Sequence, residues 1–483
     1  MKAIRSQENN LSRCFSILGA LTIFLVALLM ISACGSTPAP DEATPTAEIT
    51  PESSPTPTPD PTPEMTPTPE RPAYLEVDPD DLAGITVRFA HPWVGEPADT
   101  IGEIAVEFSD TNPWGISVSV EPYGGQTALM QALESDLDDT NTPGLFVAHP
   151  YHLALLENTF YTINLNSYFY DEVWGFDLDD RDDIRSEILT QFRVEDRLVA
   201  LPIAPQATVM FYNQSWSQTL GFSAPPADAD QFEEQSCAAQ SANWQDGNRA
   251  NDGTGGWLIN LNPNVLVAWY QAYGGELPQN EPIRFNNEQA REAFGYLWSI
   301  RSAGCIWFGR QPDPMSYLAN RNAIFYAGAL DLIPAQISWM DVADNADEWT
   351  VFGFPGPEGE TIIVDGPGLM IGADSPEQQL AAWLFARYLL EAEAQASLVR
   401  SLFSVPVRES AMQHLEDFSA EYPQWAQGAS LISSARTVPV SDHWGLSQWV
   451  LQDAIFRLLQ SEENRTDEIL EQLDEMIEMV EGR

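Results

Sequence analysis

Alternation of apolar and polar positions over Ile85 to Ala90 (ITVRFA) predicts a strand that runs into a loop, His91-Pro92-Trp93-Val94-Gly95. Ile101, Ile104, Ala105 and Phe108 then recur at the spacing of one helical face. A second alternating stretch, Ile116 to Val120 (ISVSV), ends at Pro122-Tyr123-Gly124-Gly125. Leu129, Met130, Leu133 and Leu137 mark the next helix, Leu145 to Ala148 (LFVA) a third strand, and Leu153 to Leu156 a further helical start. Strand alternating with helix predicts an α/β fold with a doubly wound, mostly parallel sheet flanked by helices. Ligands of such sheets bind beyond the carboxyl ends of the strands, where this chain carries Trp93, Tyr123, Gln126, His149 and Tyr151.

Further along, the pattern is punctuated rather than periodic. Leu201 to Gln206 (LPIAPQ) is a Pro-marked crossing that leads into a new strand at Val209 to Tyr212 (VMFY). Asn322 to Tyr326 (NAIFY) is a strand ending at Ala327-Gly328-Ala329. Val364-Asp365-Gly366-Pro367-Gly368 precedes another apolar strand, Leu369 to Ile371. Three crossings of this kind predict two lobes joined by several hinge strands instead of one linker. The roughly 400 residues after Tyr74 also suit two lobes better than one core.

The amino-terminal pattern is of another kind. Lys2, Arg5 and Arg13 precede a short uncharged apolar run, Phe15 to Met30, too brief to span a bilayer comfortably. Small residues then lead into a cysteine, Ile31-Ser32-Ala33-Cys34. This arrangement resembles a bacterial lipoprotein signal, which implies cleavage after residue 33 and lipidation of Cys34. The alternative is an uncleaved anchor. From residue 34 to about 75 the chain is rich in Thr, Pro, Glu and Ser, which bury too little apolar area to offset conformational entropy. A disordered spacer of up to roughly 100 Å is expected there.

Composition removes whole classes of chemistry. Acidic residues number 71 against 22 basic ones, and Lys2 is the only lysine. After cleavage no Schiff-base lysine and no phosphate-cradling P-loop lysine remains. So acidic a chain is not expected to bind nucleic acid, which needs clustered basic residues. No cofactor is expected, and no metal. The acidic run Asp177 to Asp183 lacks the central glycine and distal spacing of a calcium loop, and reads as a solvated loop. Cys237 and Cys305 are the two cysteines left after Cys14 and Cys34, and pair as a disulfide in an oxidising compartment; two separate buried thiols are the alternative.

A family resemblance rests on several of these residues together. Leu201 to Asn213 (LPIAPQATVMFYN), the Leu145 to His149 strand and loop, Tyr273-Gly274-Gly275-Glu276, Asn320 to Gly328, Ser375-Pro376 through Tyr388-Leu389, and Val405-Pro406-Val407-Arg408 occur in an order similar to that of family 1 extracellular solute-binding proteins. These are the maltose-binding type of receptor for ATP-driven importers. Gly144 departs from the family's Asp, and Gln206 stands where the maltose type carries an acid, which puts a maltose ligand in doubt. The resemblance implies a two-lobed, type II periplasmic-binding-protein fold, with lobe one at 78–204 plus 328–368 and lobe two at 205–327 plus 369–483. It implies a monomer that binds a sugar or similar polar solute in the interlobe cleft, performs no catalysis, and docks on the membrane subunits of an ABC permease. The ligand-facing set is then Trp93, Tyr123, Gln126, His149, Tyr151, Gln206, Tyr212, Trp269 and Trp444, with Gly328, Gly366 and Gly368 allowing backbone approach or hinge motion. Alternatives are an extracytoplasmic carbohydrate-active enzyme, a non-transporting sensor or adhesion lipoprotein, and, within the receptor class, a peptide, polyol or phosphate-ester ligand; the acidic surface disfavours an anion unless local arginines such as Arg408 override it.

Overall fold

Two sheets organise the chain, each built from strands distant in sequence. The computed structural model describes residues 71–135, 142–152, 156, 163–194, 196–278, 281–310, 313–357, 359–372, 375–439 and 442–481. The leader, Cys34 and most of the Thr/Pro stretch therefore lie outside the described residues, as do Leu137 and Leu153 to Leu155.

The first sheet follows the predicted alternation. Strands β1 (Thr86–His91), β2 (Ser117–Pro122) and β3 (Leu145–Ala148) are parallel, with β1 in the middle. After the small antiparallel pair β4 (Arg193–Val194) and β5 (Arg197–Leu198), β6 (Leu201–Pro202) joins this sheet through β14 (Gly368–Ile371), which runs antiparallel to both β3 and β6. The order is β2-β1-β3-β14-β6. Ile101, Ile104, Ala105 and Phe108 lie buried on the helix Glu96–Thr111, as their spacing requires.

The second sheet has eight strands and is mixed. Its centre is β7 (Gln206–Asn213), paired with β10 (Ala323–Ala329) on one side and with β11 (Trp349–Phe352) and β13 (Gly359–Asp365) on the other. β8 (Gly255–Ile259) and β9 (Ile306–Phe308) extend it in parallel beyond β10, β12 (Phe354–Gly356) turns back on β13, and β15 (Ala435–Thr437) adds to β13. Period-two geometry decides the packing of β7. Val209 and Phe211 enter the core shared with the first sheet, while Met210 and Tyr212 enter a second core on the other face.

Pairing corrects the expected division of the chain. Residues 328–368 were expected in lobe one and 369–483 in lobe two. Instead β13 is a neighbour of β7, whereas β14 and the helix Pro376–Leu389 belong with the first sheet. The crossings between sheets are therefore 203–205 and 366–367, together with the step into β15 near residue 435. Ala327 to Ala329 is no crossing, because the chain re-enters the same sheet at β11. The expected spacer also ends too late. Arg71 grips Asp171 through two hydrogen bonds of 2.8 and 2.9 Å, and Leu75 is buried.

Cys237, on the helix Ala229–Gln245, is bonded to Cys305 at the entry to β9, 68 residues on. A loop of that length stabilises the fold by about 4 kcal/mol in the chain-entropy model. Replacing both cysteines by serine is expected to lower the unfolding free energy by about that amount and so lower the urea midpoint, with reductant then having no further effect. An unchanged midpoint would contradict the assignment.

The acidic run Asp177 to Asp183 is mostly a short helix, Leu178–Asp183, whose amino end is capped by the Asp177 carboxylate on the Asp180 amide. Buried Arg408 binds Asp180 and Asp183 at 2.7 and 3.4 Å, so it is structural and unavailable to a solute. Among the described residues no helix is long and apolar enough to cross a membrane.

Candidate functional site

The carboxyl ends of the parallel strands in both sheets converge on one cavity of about 1470 Å³. From the first sheet come Trp93 after β1, Gln126 at the start of the helix Gln126–Ser135, and His149 after β3. From the second come Asn260 to Val265 after β8 and Gly328, Ala329, Asp331 and Leu332 at the end of β10. The crossings form its back wall with Ala204, Gln206, Thr208, Asp365, Gly366 and Pro367. Phe403, Phe418, Tyr422 and Trp449 complete an aromatic rim.

Local chemistry positions each group. His91 is fully buried beneath Trp93, with ring centroids 5.7 Å apart and neither ring nitrogen hydrogen-bonded. Burial pushes its pKa down to about 4, so Trp93 rests on a neutral ring at physiological pH. Gln126 donates its amide to Val147 O at 3.3 Å, and Gln206 donates to Leu402 O at 3.0 Å. In both, the side-chain oxygen is left without a partner. Asn260 donates to Ala327 O at 2.7 Å and so ties the ends of β8 and β10 together. His149 stacks on Tyr151 at 5.3 Å, and the Pro150–His152 turn packs against the helix Asp442–Gln460 near Gly445. Burial lowers the His149 pKa against the opposing pull of Asp365, and lifts that of Tyr151 to about 12. Gly366 is required where two crossings press together: a Cβ there would lie 2.7 Å from Pro205 Cα.

Trp93, Gln126, His149, Gln206, Gly328 and Gly366 thus line the cavity, and the other six expected residues do not. Trp269 is wholly buried on the helix Pro263–Ala272, edge-on to Phe232. Trp444 is 1% exposed within the same core. Tyr212 is buried and donates to Ala224 O at 3.1 Å. Gly368 exists for packing, since a Cβ would lie 2.5 Å from the Phe192 ring. Tyr123 packs on the first core, and Tyr151 stands beside His149 rather than on the wall. Sequence reasoning missed Trp449, Asp331, Asp365 and Tyr422. Helical phase held the clue for Trp449: five residues advance a helix by about 140°, which turns Trp449 outward when Trp444 points in. Trp449 is 60% exposed.

Two mixed α/β sheets joined by crossing strands, with a large cleft at their strand ends, define a two-lobed solute-binding protein of the type II periplasmic class. The chain belongs to the bacterial extracellular solute-binding protein family, whose model matches residues 103–427. Solved structures share the fold at low identity. The cyclic alpha-maltosyl-1,6-maltose binding protein from Arthrobacter globiformis superposes with a TM-score of 0.70 at 15% identity, covering 82% of this chain and 98% of its own. The sugar-binding protein MalE from Xanthomonas citri gives 0.68 at 18%, covering 82% and 97%. UgpB from Mycobacterium tuberculosis, in complex with glycerophosphocholine, gives 0.63 at 15%, covering 81% and 98%. No curated protein matches by sequence. The family consists of binding proteins, not enzymes, and acts outside the cytoplasm.

Proposed function

We propose that this chain is the receptor of an ABC importer, capturing a carbohydrate or similar polar solute by closing two lobes and handing it to the permease subunits. Lobe one is taken as 78–204 with 368–434, and lobe two as 206–365 with 435–481. Lipidation of Cys34 after signal cleavage would hold the receptor at the outer face of the membrane on its Thr/Pro spacer. The observation that supports this reading most is the composition of the cleft wall. It offers flat apolar faces at Trp93, Tyr422 and Trp449 beside hydrogen-bonding groups at Gln126, Gln206, Thr208 and Asn260, drawn from both sheets and the crossings. Sugars present flat C–H faces edged by hydroxyls, which such a wall complements. A solute that touches both sides only in the closed form shifts the open–closed balance by its differential affinity.

Small-angle scattering of the mature head domain, titrated with mono- and oligosaccharides, tests the reading. Binding solutes are expected to reduce the radius of gyration and raise the melting temperature together. A ligand that stabilises without compaction would contradict closure, and the absence of any saccharide effect would contradict the ligand class.

A further inference from the structure

The charge balance of the cleft carries the ligand class further, on the footing of the carbohydrate reading above. Five acidic side chains line the cavity: Glu96, Asp313, Asp331, Asp365 and Glu421. None has an ion-pair partner among the described residues. Arg400 is the single cationic residue among the described lining, and one of its guanidinium nitrogens, Nη2, donates to Asp417 at 2.5 Å and to His414 O at 2.7 Å. Burial lowers the pKa of His149, the lining histidine, against the opposing pull of Asp365. Burial also raises the pKa of Asp331, which marks a carboxylate short of solvation.

Hydrogen bonding points the same way. Gln126 and Gln206 each commit their nitrogen to a backbone carbonyl, and this fixes the orientation of the amide. The oxygen ends are buried and unpartnered. They sit on different elements of one cavity and both require donors. A concave wall with unneutralised carboxylates focuses negative potential into the space it encloses. A phosphate ester or free carboxylate would meet five carboxylates there against one cation, Arg400, already paired with Asp417, whereas a protonated amine supplies both charge and donors.

We propose that the cleft selects an amine-bearing saccharide, a polyhydroxyl solute carrying at least one protonated nitrogen, over its neutral or anionic counterparts. Isothermal titration of the mature protein with glucosamine oligomers, matched N-acetylglucosamine and glucose oligomers, and a sugar phosphate tests this at mildly acidic pH. The amine series is expected to bind at least about tenfold more tightly than the matched neutral series. That advantage should shrink at high sodium chloride and in Asp331→Asn and Asp365→Asn. Equal or tighter binding of the neutral oligomers, insensitive to salt, overturns this inference and leaves the carbohydrate reading standing. Tighter binding of the sugar phosphate likewise overturns it. If no saccharide binds, charged or neutral, both readings fall.

Discussion

Replacing Asp347 by alanine is expected to destabilise the fold by about 3 kcal/mol, a large loss for a single surface-proximal residue. Its carboxylate is 8% exposed and receives Arg321 in a two-pronged grip at 2.8 and 2.6 Å, plus the side-chain amides of Asn213 and Asn345 at 2.8 and 3.2 Å. Together these bonds tie the end of β7 and the turn before β10 to the approach to β11. Alanine removes the acceptor of four hydrogen bonds from three side chains, and unmet donors cost more than the net value of the bonds. The pH dependence is an independent check. Burial alone raises the Asp347 pKa, but Arg321 and the two amides outweigh it, so the folded value lies below the ordinary carboxylate value. The unfolded chain then binds the proton more readily. The stabilisation is fully present above the unfolded pKa and is lost as pH falls from there through the folded one. Asp171, where Arg71 and two backbone amides likewise outweigh burial, adds to the same acid limb. Urea unfolding of the wild type and of Asp347→Asn across this acid range measures it. Parallel pH curves for the two proteins would sink the account.

Trp93→Ala is expected to weaken solute affinity roughly 10- to 100-fold, about 1.5–3 kcal/mol, with little change in stability. Trp93 is only half-buried and lines the cleft, so its removal takes away a stacking face without opening a core. Trp269→Ala should do the reverse, at a cost of about 3–5 kcal/mol in stability, because that ring sits in the second core. The contrast guards against a general folding defect. Trp93→Ala also uncovers His91, whose pKa should move up from about 4 toward its ordinary value, readable by NMR titration of the ring. Unchanged affinity with an unchanged His91 would remove Trp93 from the site.

The two tryptophans illustrate how much of the site could be read in the sequence. Trp93 follows a strand whose alternation is clear, and the parallel-sheet rule places whatever follows such a strand at the ligand end. Gln126 and His149 were legible for the same reason, and Gln206 because prolines mark the crossing beside it. Trp269 and Trp444 lie on helices, where exposure depends on the phase of the helix against a neighbour that local pattern does not name. Asp331 and Asp365 were invisible as site residues, since one more acid in a chain with 71 of them carries no signal.

Local periodicity determined the three parallel strands β1 to β3 and the strand ends that face the cleft, the Pro- and Gly-marked crossings with the family resemblance carried the two-lobed class, and elimination carried the cysteine pair. Tertiary structure alone decided which sheet receives each return segment. β13 and β14 are separated by only Gly366 and Pro367, yet they belong to different sheets. Both are short apolar strands, and nothing in their own residues distinguishes an edge of β7 from an edge of β3. That choice is made by long-range pairing, whose partners are more than 150 residues away in the chain.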